Sequence, residues 1–406
     1  MKKNSGAALL VLIVVFSSAA HALDLNNPLP NWLDPSREQA GKPLPGSSSS
    51  AIEPAVPPAG FRIPAEYEPV GAVVISWAGY TDMLTSVARA VTGPGKAQVF
   101  GVWAPETLPG VPAGRYKALD IPVDTVWVRD YGPFGLTGPG RLGIVDSVYR
   151  HYQYRQSDDA MPASLGKTMG VDVFGVKVIL DGGNIMFDSK GNLFMTRRTY
   201  SWNSSMSQEQ VDAALKAQFK AKNIYTFDYA GYPGQPKDGT GHIDMFMKLL
   251  NDHTVLISAA DSEPFKSNSE KAQAWFRGRT AADGQPYRIL TIKGWENSGT
   301  WYTYTNSLIV NNTVLMPSYS GRSAEEAQAA AAYSSGMPGV SVIPINSDSS
   351  ITAGGSIHCV TQTIPALPAG RPGGFPVAAP QAPARDFSYA PGEVPALARL
   401  ENQEPF

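Results

Sequence analysis

A chain of 406 residues with a single cysteine, Cys359 in "GGSIHC", carries a small set of side chains suited to nucleophilic chemistry. His242 and Asp244 stand in "GTGHIDMF", Asp130 in "VWVRDYGP", Asn306 in "YTNSL" and Asn184 in "DGGNI". A cysteine with a histidine is an activated-nucleophile pair. Most such pairs cleave acyl groups, but two carboxylates beside them would oppose a developing oxyanion. Carboxylates suit a cation, and a guanidinium is planar, permanently charged and built for bidentate pairing. Asp130 and Asp244 are therefore expected to clamp a substrate guanidinium, the bound cation compensating two desolvated carboxylates.

These residues lie far apart in the chain, so something must gather them. "NIMFDSKGNLFMT" (184–196), "DMFMKLLNDHTVLIS" (244–258) and "NSLIVNNTVLMP" (306–317) each read as strand, polar turn and strand. Helices follow, announced by capping-box pairs: Ser207 with Gln210, Ser267 with Glu270, and Ser323 with Glu326, the last leading to a Gly336 stop. Apolar strands ("NIYTFDY", "YRILTIK", "GVSVIPI") then lead toward the next hairpin. The chemistry-bearing residues recur at one phase of this unit, at 130, 184, 244, 306 and 359. Such a period predicts modules stacked or closed on one another, and modules set around an axis would bring equivalent positions together. Asp, Asn and Gly are also ordinary strand-entry turn residues, which is the competing reading.

Composition bounds the remainder. A formal net charge of -2 offers no global basic field for nucleic acid, and 43% apolar residues suffice for a large core. Residues 1–22 read as a secretory signal peptide: Lys2 and Lys3, an apolar run from Ala7 to Phe16, and Ala20-His21-Ala22 as cleavage site. A secreted or periplasmic product without a membrane segment is expected. One cysteine excludes an internal disulfide, and a free thiol in an oxidising compartment is either buried and inert or used. Residues 23–60 read as a Pro/Ser-rich linker, 61–363 as the catalytic domain, and 364–406 as a Pro/Gly-rich tail. No His/Cys/carboxylate spacing matches a zinc site, so no metal and no cofactor are expected.

The motifs "WVRDYGPF", "LDGGNIMFD", "GTGHIDMF", "YTNSL" and "GGSIHC", with "PAEYEP" (64–69) ahead of them, resemble in order the guanidine-modifying pentein superfamily. Within it, the chain is most similar to the agmatine deiminase and bacterial, Porphyromonas-type peptidylarginine deiminase branch. The resemblance implies an α/β fold, a five-bladed propeller with pseudo-fivefold repeat and a central site. It also implies Cys359 as nucleophile on the guanidinium carbon, His242 as proton donor to departing ammonia and then activator of water, Asp130 and Asp244 as holders of the guanidinium, and Asn306 as aligner of the thiol.

Neighbouring residues carry plainer readings. His358 and Arg129 are expected to be structural, since alternate strand residues face opposite ways. His253 reads as solvent-facing, Trp127 as core, and Asp181 and Gly182 as turn formers; Asn184 could touch substrate. The stretch "YRHYQYRQSDDA" (149–160) resembles a loop that grips a C-terminal carboxylate through two arginines. Arg155 matches one, Gln153 stands at the other, and Arg150 is nearby; alternatively Arg150 and Arg155 pair with Asp158 and Asp159. Secretion favours arginine in peptides or proteins as substrate, giving a secreted peptidylarginine or arginine deiminase. The alternatives are an exported agmatine deiminase and a non-catalytic arginine-binding propeller.

Overall fold

The computed structural model describes residues 23–41 and 53–367. The expected leader, the central part of the expected linker (42–52) and the tail from 368 lie outside the described residues.

Five sheets share one plan, an antiparallel pair extended by a parallel strand across a helix. Phe134–Gly138, Arg141–Tyr149 and Asp172–Leu180 form one such sheet, with helix Gln156–Met169 as the crossover. Met186–Phe187, Asn192–Thr196 and Asn223–Phe227 form the next with helix Gln208–Gln218. Met247–Leu249, Thr254–Ala259 and Arg288–Lys293 use helix Phe265–Phe276. Leu308–Val310, Thr313–Ser318 and Ser341–Asn346 use helix Ser323–Gly336. In the fifth the two ends of the folded body meet. Val70–Ser76 pairs antiparallel with Gln362–Pro365 and parallel with Gln98–Val102, across helix Thr81–Thr92, and Tyr116–Leu119 extends the sheet. Parallel neighbours require such a crossover. Strands flanked on both edges and covered by helices read as unbroken apolar runs, as in "VGAVVIS" at 70–76.

The expected hairpins and following strands are thus present. The body extends past the expected boundary at 363, because Ile364 is buried in the pairing strand. The helix starts agree in part. Ser207 and Gln210 form a reciprocal capping box. At the second helix Pro264 holds the N-cap position and Glu263 accepts from the Ser267 N–H, so Ser267 lies inside the helix. At the third, Glu326 turns away from the helix start to accept from Ser318 Oγ and the Tyr319 N–H, joining helix to preceding strand.

Part of the expected linker is packed structure. Residues 23–41 lie against the loops around 127, 150–155 and 353–354, and the Ala55 N–H donates to Gly175 O. Pro-rich composition signalled a chain without regular elements. It did not signal absence of contact: Asn31 and Glu38 are buried.

Candidate active site

The residues collected by the shared phase each sit just ahead of the first strand of one sheet. Asp130 lies in the helical turn Val128–Tyr131, Asn184 closes the turn Gly182–Asn184, and Asp244 lies in Ile243–Met245 with His242 as its N-cap. Asn306 precedes Leu308, and Cys359 precedes Gln362. The shared phase in sequence therefore corresponds to one shared place in each module.

Cys359, His242, Asp130 and Asn306 are 0% exposed and Asp244 3%. Asn306 Nδ2 donates to Cys359 Sγ at 3.2 Å and to Asp244 Oδ2 at 3.0 Å, and the thiol donates to that same oxygen at 3.8 Å. Asp130 Oδ1 accepts from the Gly183 N–H at 3.1 Å and faces His242 Nδ1 at 3.6 Å. Three buried atoms here make no hydrogen bond: Asp130 Oδ2, Asp244 Oδ1 and His242 Nδ1. A Cβ placed on Gly183 would fall 2.5 Å from His242 Nδ1, 2.9 Å from Asp130 Oδ1 and 3.1 Å from Asp244 Oδ2. A side chain at 183 would thus collide with two carboxylates and an imidazole; glycine lets the backbone approach them, and their unpartnered acceptors remain to be satisfied. A planar cation rich in N–H donors answers that demand.

Electrostatics follow from burial among acids. Burial, then Asp244 and Asp130, holds the Cys359 thiol well above its ordinary range. Burial lifts Asp130 to about 6 against the pull of His242. For His242 burial acts downward, but Asp130 and Asp181 outweigh it and raise the imidazole above its usual value. Burial among acids thus disfavours the Cys359 thiolate and favours the protonated form of the His242 imidazole.

Residues 62–365 match the Porphyromonas-type peptidyl-arginine deiminase family. The chain belongs to that family. Agmatine deiminase from Ectopseudomonas mendocina is 24% identical over 370 residues, covering 76% of this chain and 96% of that protein. The Medicago truncatula agmatine deiminase is 23% identical over 366 residues, covering 76% and 97%. Among solved structures, the agmatine deiminase of Enterococcus faecalis superposes with a TM-score of 0.66 at 20% identity, covering 80% of this chain and 99% of that one. The fold is the mixed α/β fold of pentein structures. Like its family, the protein is a hydrolase acting on the C–N bonds of amidines, a deiminase of guanidino groups.

Several residues take other places than the sequence suggested. Asp181, read as a turn former, accepts from His242 Nε2 at 3.1 Å and pairs with Arg150 at 3.0 Å. Burial would raise Asp181, and Arg150 brings it below its ordinary value; a carboxylate then orients the imidazole, as in other His-based sites. The signal was available in "LDGGN", where the acid stands at the same strand-entry phase as the others. Arg150 is therefore tied to Asp181 and to Asn31 O, not open to substrate. Arg155 is wholly buried and grips Glu38 through two nitrogens at 2.7 and 2.9 Å, donating also to Pro30 O and Trp32 O. Neither arginine pairs with Asp158 or Asp159: Asp158 accepts from Thr125, and Asp159 from the Tyr149 N–H. Asn184 spends its side chain on the backbone of Thr196 and Ile243 and on Thr199 Oγ1, joining two loops and leaving nothing for substrate.

His358 is buried between Asp244 Oδ2 and Glu66 Oε2, 2.6 Å from each. Glu66 also meets Lys248 at 2.8 Å and Arg129 at 3.8 Å, and these cations with His358 hold it well below its ordinary range in spite of burial. Arg129 is an ion-pair partner as expected, although of Glu66, and His253 is partly exposed and paired with Asp283. Trp127 is core, and its Nε1 donates to Leu29 O. A small cavity of about 70 Å³ reaches Gly183, Asp244 and His358 from the Glu66 side.

Asp130, Asp181 and His242 offer three ligand atoms within 4.8 Å of one another. Asp181 pairs with Arg150, and Asp130 Oδ1 faces His242 Nδ1 at 3.6 Å. Among the described residues no helix is long and apolar enough to cross a membrane.

Proposed function

We propose that the protein deiminates a small guanidino compound, agmatine first among candidates, through a covalent intermediate on Cys359. The five like sheets support a closed five-bladed arrangement that gathers the site at its axis. The observation that carries the reading is the buried site beside Gly183, in which an imidazole and two carboxylates with unpartnered oxygens converge and the Cys359 thiol reaches one of the carboxylates. Substrate enters the site with its guanidinium between Asp130 and Asp244, and this cation offsets the charges that keep the thiol protonated. As the cation binds, the Cys359 thiol loses its proton to solvent, and Sγ, as thiolate, attacks the guanidinium carbon. The C–N bond to one amino group breaks, and His242 supplies the proton with which ammonia leaves. A thiouronium remains on Cys359. His242, now neutral, takes a proton from water, whose oxygen attacks the same carbon. The C–S bond breaks, giving a ureido product and returning the thiol.

The sequence reading placed peptidyl-arginine first; its own alternative, agmatine, is the better supported. Relatives spanning nearly their whole lengths are agmatine deiminases. Both arginines expected to hold a substrate carboxylate are occupied, so a carboxylate-free substrate needs nothing they could give. The leader expected at residues 1–22 supports an exported location for this enzyme. Comparing kcat/KM for agmatine, arginine and peptides with internal or terminal arginine tests the substrate. Agmatine should lead; a peptide leading by an order of magnitude would reverse the assignment.

A further inference from the structure

Residues 23–41 precede the family match, which begins at 62. They nevertheless seat on the loops that carry the nucleophile and orient the base. The Asn31 N–H donates to Ala353 O at 2.8 Å, and the side chains of Asn31 and Trp32 close over Gly354. Next along the chain, Gly355 lies so close that a Cβ there would sit 2.7 Å from Cys359 Sγ. On the other flank, Asn31 O accepts from Arg150, the partner of Asp181, which touches His242. Trp127 packs on Gly355 and donates to Leu29 O. The segment thus stands one residue layer from both reacting side chains.

Its hold is polar. Glu38, buried, receives two donors from Arg155, while the same guanidinium binds the carbonyls of Pro30 and Trp32. The Gly41 N–H reaches Gln153 O. One buried ion pair therefore fastens the strap, and breaking one partner of such a pair leaves the other uncompensated. Among the described residues the exposed large aromatics are Trp32, Tyr154 and Tyr232. Trp32 belongs to the strap, Tyr154 to the loop it grips, and Tyr232 to the hairpin segment whose Gly239 approaches the Trp32 ring. Exposed aromatics on the strap and on the loop it grips suit a partner larger than a small guanidine.

We propose that residues 23–41 are the specificity determinant of this enzyme: latched by Glu38 to Arg155, they confine the site to compact guanidino substrates, and unlatched they admit arginine within a larger molecule. The inference rests on the deiminase reading above for its substrates, but not for its geometry. In the full mature chain, Glu38→Gln keeps volume and removes the charge of the latch, and Trp32→Ala removes half-exposed cover without touching the buried pair. kcat/KM would be measured for agmatine and for an Nα-acyl-arginine amide. The ratio of amide to agmatine should rise by about tenfold or more in Glu38→Gln, the scale of discrimination that one pocket contact provides, and to a smaller extent in Trp32→Ala. Near-ultraviolet circular dichroism establishes that each variant is folded; if Glu38→Gln is not, Trp32→Ala decides. Calorimetric binding of the same two compounds to Cys359→Ala protein, with and without each strap change, reads the ratio without turnover. A binding ratio that shifts while no compound is turned over sinks the reaction and leaves the strap. Agmatine turnover with both ratios unmoved in folded variants overturns the strap and leaves the reaction.

Discussion

At the scale of single residues, the site is a collection of charges that would not be buried together for stability. Asp130 shows the sign clearly. Its carboxyl is protonated in folded and unfolded chains alike below the ordinary value of 3.8, and its ionised form opposes folding fully above about 6. Asp130→Asn is therefore expected to abolish turnover yet raise the unfolding free energy at pH 7 by about 1–3 kcal/mol, the gain fading by about pH 4. Thermal melts at the two pH values check this; an Asn variant less stable than wild type at pH 7 would contradict it. His358 is the second case. Its Nδ1 fixes Asp244 Oδ2, leaving Oδ1 for substrate, while Nε2 rests on Glu66. Asn places an amide nitrogen near the position of Nδ1 and Gln near that of Nε2. His358→Gln should raise KM for agmatine by about tenfold and His358→Asn by much less, the difference being roughly one charge-assisted hydrogen bond. Equal KM values in the two variants, whatever their melting temperatures, would reduce His358 to a structural role.

Elements explain why these residues could be found in advance. Position ahead of a strand was legible because turn chemistry and hairpin pattern repeat at a nearly fixed period, so one phase collected Asp130, Asn184, Asp244, Asn306 and Cys359. Phase could not say which way each side chain turns. Asn184 shares the phase but stitches loops together, whereas Asp181, three residues before it, supports the base. Capping boxes were legible where the pair is purely local, as at Ser207, and failed where a neighbouring strand competed for Glu326. Gly183 is where element and chemistry meet, since a turn there must pass the site without colliding with its side chains. Gly183→Ala should lower kcat/KM by about a hundredfold through misplacement of His242 and Asp130, and lower the melting temperature too, since its Cβ would overlap buried side chains. A fully active alanine variant would mean that the site beside Gly183 is not where substrate lies.

Over the whole molecule, the strand that follows Cys359 pairs with Val70–Ser76 from the start of the folded body, so the nucleophile depends on distant parts of the chain as much as on its motif. The order of motifs carried the fold and the reaction class. It did not carry the burial of Arg155 or the packing of residues 23–41, because a buried ion pair between residues 117 apart leaves no periodic trace in sequence. That pairing changed the substrate assignment from one held by its carboxylate to one held by its guanidinium alone. The most direct test of the account is the intact mass of the protein acid-quenched during turnover of agmatine. The account predicts a fraction carrying substrate less ammonia on Cys359, with ureido product accumulating, and neither in Cys359→Ala. Product formed at the wild-type rate by Cys359→Ala, or turnover without any adduct on Cys359, would contradict it.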